Sequence, residues 1–146
     1  MKFRLIIDPE KDEEAVITAK EKSRLTDEIE ALIINYVGND RLTVQGDGCI
    51  KILTFNKIEC VTVLGGKTVV IAEDGKQYVT PKRLYEIEEI LPSSFIRINK
   101  STVANKNFIE KFTVSYSGGV DAVFKSGYRD YVSRRCFAKI KREVLK

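Results

Sequence analysis

Apolar positions recur along this chain with two different periods. In KSRLTDEIEALIINYVG, Leu25, Ile29, Leu32, Ile33, Tyr36 and Val37 fall at spacings of three and four, which places them on one face of an α-helix. Ser23 is the expected N-cap, Asp27 and Glu28 suit the first turn, and Gly38 is the expected stop. Such a face buries against the chain's own sheet or against a second copy. From residue 41 to 80 the pattern shifts to short strands: RLTVQG, CIKILTF, CVTVL, KTVVIAE and KQYVT. Gly46-Asp47-Gly48, Asn56-Lys57, Gly65-Gly66-Lys67 and Asp74-Gly75 punctuate them, and Asp-Gly and Gly-Gly pairs tolerate the positive φ of hairpin turns. No crossover helix separates these strands, so the sheet is expected to be antiparallel.

TPKRLYEIEEILP predicts a short helix, with Thr80 as cap, Pro81 at its first position, Leu84, Ile87 and Leu91 inward, and Pro92 beyond its end. SFIRI, FIEKFTVSY and DAVFK follow as strands, with Gly118-Gly119 turning between the last two. SRRCFAKIKREVLK closes as a helix that buries Phe137, Ile140 and Val144. At the other end, KFRLIID reads as a strand ended by Asp8-Pro9, and EAVITAK as a short segment of open type. The fold class is therefore α+β and predominantly antiparallel β. Composition and pattern both shift near residues 38–48, where a boundary is expected between a small strand/helix element and a main domain.

Charge sharpens this picture. The 146 residues carry a net +4, but residues 1–50 hold 7 basic against 11 acidic side chains, while residues 92–146 hold 12 against 4. The excess of cations in the last third points to a polyanion-binding surface or to a solvated basic face. FIRINKSTVANKNFI, residues 95–109, is half apolar, yet holds Arg97, Asn99, Lys100, Asn105 and Lys106 with no carboxylate before Glu110. Between apolar anchors, Asn99-Lys100-Ser101 would be presented on a stiff turn. Asparagine can pair with adenine, lysine with guanine or phosphate, and serine with phosphate. Arg134 and Arg135 stand in the first turn of the last helix, where cations oppose the helix dipole at about 0.3–1 kcal/mol each. That placement suits a phosphate, or a guanine edge read through paired hydrogen bonds.

Catalysis finds no support. Histidine is absent, no acid pair is marked, and LGGKT lacks the first glycine of a phosphate loop and lies between strands, so it reads as a hairpin with a basic tip. Cys49, Cys60 and Cys136 are widely spaced and form no CxxC pair, and are expected to be free buried thiols. No catalytic, cofactor-binding or metal-binding residue is expected. The N-terminus lacks the apolar core of a signal peptide and no apolar run is long enough to span a bilayer, which reads as cytoplasmic.

Leu91, Phe95, Arg97, Asn99, Ser101, Asn105 and Ile109 form a spaced signature, joined near the end by Tyr131, Ser133 and Arg135. Over about residues 45–146 this resembles the LytTR DNA-binding domain. The resemblance implies an elongated set of small antiparallel sheets with loops that enter successive major grooves of double-stranded DNA and bend it, acting on spaced repeats in transcription regulation. It carries contact positions to Lys67, to Asn99 with Lys100, and to Arg135 with Arg134. Asn99 and Arg135 are expected to read bases, and Ser101, Lys100, Lys106 and Arg134 to touch phosphate. Arg97 either braces the loop or meets phosphate. The family often has His where Asn99 stands, so base preference does not carry over. Most relatives carry an upstream receiver domain, and residues 1–44 are too short for one. This is similar to the stand-alone type, some of which are held inactive by a membrane protein. Residues 23–37 are the expected dimerisation or docking surface. The competing readings are a non-catalytic interaction module whose basic face binds an acidic partner, and a single-strand RNA binder, for which Tyr116, Tyr128 and Tyr131 would have to share a flat sheet.

Overall fold

A computed structural model describes residues 2–11, 15–35 and 40–143. Ten strands form two antiparallel sheets. Strands β1 (Arg41–Gly46), β2 (Cys49–Thr54), β3 (Ile58–Leu64), β4 (Lys67–Ala72), β5 (Gln77–Thr80), β6 (Phe95–Asn99) and β7 (Thr102–Asn105) make a seven-stranded sheet in the order β2-β1-β5-β4-β3-β7-β6. Strands β8 (Ile109–Val114), β9 (Val120–Phe124) and β10 (Arg129–Val132) make a second sheet in the order β10-β9-β8. The helices are α1 (Arg24–Asn35), α2 (Leu84–Ile90) and α3 (Arg134–Glu143).

The central strands are buried on both faces, and this builds two cores. Along β3 and β4, Val61, Val70 and Ala72 face one core with Leu42, Phe55 and the α2 residues Leu84 and Ile87. Their neighbours Cys60, Val69 and Ile71 face the other, with Ile98, Phe124 and Ile140. Each buried aliphatic side chain contributes about 1.5–3 kcal/mol. The second core lies where the small sheet and α3 meet the large one, and Phe112 meets Phe137 edge-to-face at 5.7 Å. A buried carboxylate closes that seam: Glu59, fully buried, accepts the Ser126 N–H at 2.9 Å and the Ser126 hydroxyl at 2.5 Å.

The hairpin turns are those the glycine pairs predict. Asp47 and Gly48, and Gly65 and Gly66, all take positive φ, from 52° to 77°, as two-residue turns between twisted strands require. Several other expectations change. Residues 2–8 form no strand: they are strand-like in composition but unpaired, and Phe3, Leu5, Ile6 and Ile7 stand exposed. Residues 15–20 are likewise extended and exposed. α2 starts later than Thr80-Pro81 suggests, because Thr80 is held in β5. Arg83 is the N-cap residue, and its N–H is received by the Glu86 carboxylate at 3.1 Å. Cys49 is exposed rather than buried, whereas burial pushes the Cys60 thiol well above the usual range. β7 and β10 are full strands. β1 straddles the division expected between residues 44 and 45.

α1 is capped as expected, with Ser23 and Thr26 exchanging side-chain to backbone hydrogen bonds at 2.9 and 3.3 Å. It meets β1 near its C-terminal end, where the Thr43 hydroxyl donates to the Ile33 carbonyl at 2.9 Å. Ile29 and Ile33 are half-buried, but Leu25 and Leu32 are exposed. Tyr36, Val37, Gly38 and Val144 lie outside the described residues.

Candidate nucleic-acid interface

Three loops meet at one end of the molecule. The first is the β3–β4 hairpin, whose Gly65-Gly66 turn leads into Lys67. The second is the Lys100-Ser101 turn between β6 and β7, where Asn99 is paired with Thr102. The register steps by one residue at Ile98, a bulge in β6. The third is the start of α3, capped by Ser133, whose hydroxyl accepts the Cys136 N–H at 3.2 Å.

Hydrogen bonds tie the three together. Val63 N–H donates to the Ser101 carbonyl at 3.0 Å, joining the first loop to the second. Ser133 N–H donates to the Ile98 carbonyl at 2.8 Å, joining the third to the second. The Thr62 and Thr102 hydroxyls lie 2.7 Å apart, and Thr102 donates to Asp130 at 2.6 Å, a chain that links β3, β7 and β10. Buried hydrogen bonds of this kind cost most when one partner is removed. The relative placement of the loops is thereby set by the scaffold.

Asn99 is where the structure departs furthest from expectation. It is only 1% exposed. Its amide nitrogen donates to the Tyr131 carbonyl at 2.8 Å and its oxygen accepts the Ser101 N–H at 2.8 Å. Both ends of the amide are thus engaged within the protein, so Asn99, expected to read a base, braces the turn in this structure. Arg97 resolves in the same direction. It donates to the Lys100 carbonyl at 2.8 Å and pairs with the Glu88 carboxylate at 2.7 Å, so it holds the turn rather than extending from it. Asn105 is also buried, donating to the Ile58 carbonyl at 3.0 Å.

What protrudes is a set of cations. Lys67, Lys100, Arg134 and Arg135 are all exposed, and among the described residues none of them pairs with a carboxylate. Ser101 is half-buried beside Lys100. Arg134 opens on the side of the β8–β9 hairpin, while Arg135 opens on the side of Arg97 and Lys139. Lys106 does not join them. It begins a 3₁₀ turn at the far end of β7, about 13 Å of strand from Lys100 at about 3.3 Å per residue. Tyr131, whose carbonyl receives Asn99, was not singled out for that role in the sequence, where a backbone acceptor leaves no mark. Tyr116, Tyr128 and Tyr131 do not share one flat sheet face: Tyr116 is in the β8–β9 tip, and Tyr128 packs on Phe124. Among the described residues no cluster of three or more metal-ligating side chains occurs, and no helix is long and apolar enough to cross a membrane.

Known proteins share this design. The family model of the LytTr DNA-binding domain matches residues 48–144. Uncharacterized HTH-type transcriptional regulators of Staphylococcus aureus strains NCTC 8325 and COL are 36% identical over 78 residues, which is 53% of this chain and 53% of theirs. The chain thus spans about half the length of the curated relatives it matches. The helix-turn-helix of their name has no counterpart here, because no two helices are consecutive among the described residues. The LytTr DNA-binding domain of a methyl-accepting/DNA response regulator from Bacillus cereus superposes with a TM-score of 0.65 at 24% identity, over 72% of this chain and 96% of that one. The two-sheet architecture, the spaced signature and the family match over most of its length agree: this chain belongs to the LytTr DNA-binding domain family.

Proposed function

We propose that this chain is a non-catalytic, sequence-specific regulator of transcription that binds double-stranded DNA in the cytoplasm and reads the major groove through its loops. The observation that carries this reading is the convergence of Lys67, Lys100 and the Arg134-Arg135 pair at one end of a hydrogen-bonded scaffold, with no carboxylate paired to any of them among the described residues. Cations on three separate, rigidly spaced loops match a helical polyanion better than a small ligand does. Arg135 takes the role of base reader, since arginine can engage guanine through two parallel hydrogen bonds. Lys67, Lys100, Ser101 and Arg134 serve mainly as phosphate contacts. Asn99 and Arg97 hold the middle loop in place, and Lys106 sits too far away to share the same groove.

The test is selection of bound sequences from a pool of random duplexes at two salt concentrations. Enrichment of a motif with spaced repeats supports the reading, and the loss of affinity with salt counts the phosphates engaged. Weak binding without enrichment would favour an interaction module for an acidic protein.

The N-terminal part serves a second copy of this chain. Phe3, Leu5, Ile6 and Ile7 stand exposed near the start of the chain, as do Leu25 and Leu32 on α1, which leaves apolar side chains for a partner to cover. A homodimer would place two readers on spaced repeats. Leu25→Asp combined with Leu32→Asp should convert the dimer to a monomer in sedimentation equilibrium. A wild-type chain that sediments as a monomer would leave this face to the inhibitory membrane protein that the family resemblance implies.

A further inference from the structure

The hairpin between β8 and β9 has no role in the three-loop reader, yet it stands beside it. Val120 is paired with Val114 on one side and with Val132 on the other. The tip, residues 115–119, therefore lies at the same end of the small sheet as the start of α3. Between tip and helix runs a groove of about 530 Å³ whose walls include Ser117, Gly118, Gly119, Arg134, Phe137 and Lys141. None of its lining residues is acidic. Residues 111–120, KFTVSYSGGV, carry no carboxylate either.

The tip is stiff. Ser115 N–H donates to the Gly119 carbonyl at 2.9 Å, Gly118 N–H to the Ser115 carbonyl at 2.9 Å, and Gly119 N–H to the Ser115 hydroxyl at 3.1 Å. Gly118 has a φ of 88°, which strains any other residue. This pre-shaped turn holds Tyr116 fully in solvent, with neither face of its ring against the protein. A wholly exposed aromatic on a rigid turn contributes nothing to the core. Across the groove, Lys141 lies 4.8 Å from the Phe137 ring centre, and Arg134 is shared with the third loop.

We propose that the β8–β9 hairpin is a fourth DNA contact, in which Tyr116 and Ser117 grip the sugar–phosphate backbone flanking the stretch read by the start of α3. Their hydroxyls can donate to phosphate oxygens, and Arg134 and Lys141 supply the positive groove behind them. The contact rests on the reading of this chain as a DNA binder.

Hydroxyl-radical footprinting of the wild type and of Tyr116→Ala, on a duplex recovered from the random pool, tests it. Tyr116 is exposed, so the variant should melt with the wild type. The wild type should protect a patch of backbone beyond the α3 stretch. The variant should lose that patch alone and bind roughly fivefold more weakly, as expected for one hydrogen bond. An unchanged footprint and affinity would overturn the fourth contact while leaving the three-loop reader standing. A general loss of protection at every loop would overturn it as well. A wild type that protects no discrete site would sink the parent reading, and this one with it.

Discussion

Asn99 and Lys100 are neighbours in sequence and opposites in burial. Asn99 has its amide engaged at both ends inside the protein, while Lys100 stands in solvent at the turn. Their alanine variants should separate accordingly. Asn99→Ala leaves the Tyr131 carbonyl and the Ser101 N–H without their partner and should cost about 1–3 kcal/mol in urea denaturation. Lys100→Ala should leave stability within about 0.5 kcal/mol and reduce the salt dependence of DNA binding by about one unit of slope. Equal effects of the two on stability would show that the amide does not hold the turn. Arg135→Ala should cost about 1–3 kcal/mol of affinity and relax preference at one base pair. Uniform weakening over all sequences would make Arg135 a phosphate contact. The polar residues of the signature are recognisable in sequence, but their division into braces and readers is not. A buried asparagine and a groove-facing one are the same letter, and only the neighbouring Tyr131 carbonyl, 32 positions away, tells them apart.

Elements with their own periodicity were legible; elements defined by their partners were not. α1 and α3 show a helical stripe, and the hairpins carry Asp-Gly or Gly-Gly at their turns, so local chemistry identifies them. RDYV, which becomes β10, is short, charged and half-exposed, and is a strand only because β9 lies beside it. Residues 2–8 fail in the opposite sense. Strand propensity describes fitness for a pleated, half-buried surface, and residues 2–8 pair with no strand among the described residues. The middle strands of the large sheet, β3 and β4, hold near-continuous apolar runs such as VVIA because both faces of the sheet are covered there. The Thr62–Thr102–Asp130 chain is another product of pairing, joining β3, β7 and β10. Thr102→Val keeps the shape and removes the hydroxyl. It should lower stability by about 1–3 kcal/mol and also weaken DNA binding by the folded protein, because the third loop loses its tether to the second. Unchanged affinity in the folded variant would mean that the Ser133–Ile98 bond alone sets the spacing.

For the molecule as a whole, the seam between the sheets holds two groups that tie stability to alkaline pH. Burial raises the Cys60 thiol above its ordinary 9.0, and burial, with Asp130 nearby, pushes the Tyr128 phenol up to about 12 from 10.0. Both groups hold their protons more tightly when folded, so the unfolded chain ionises first. Their contribution to stability is complete below about pH 9 and is lost as pH rises through the folded values. Denaturation midpoints should therefore be flat from neutral pH to about pH 9 and fall above it. A midpoint insensitive to alkali would indicate that the seam is wetter than its burial implies. The charge gradient along the chain announces the cationic end, but which cations share it depends on pairings such as Val63 with Ser101, which no spacing reveals. The tethering of three loops to one another by their backbones has an evolutionary corollary. Asn99 and Arg97, which hold the middle loop, have their side chains engaged within the protein, whereas Lys67, Lys100, Arg134 and Arg135 stand exposed with no carboxylate partner among the described residues. On the proposed reading, a new operator preference can arise by exchanging Arg135, and a new affinity by exchanging Lys67, Lys100 or Arg134, without endangering the fold. Paralogues in one genome can thus diverge in the genes they address while inheriting the same frame.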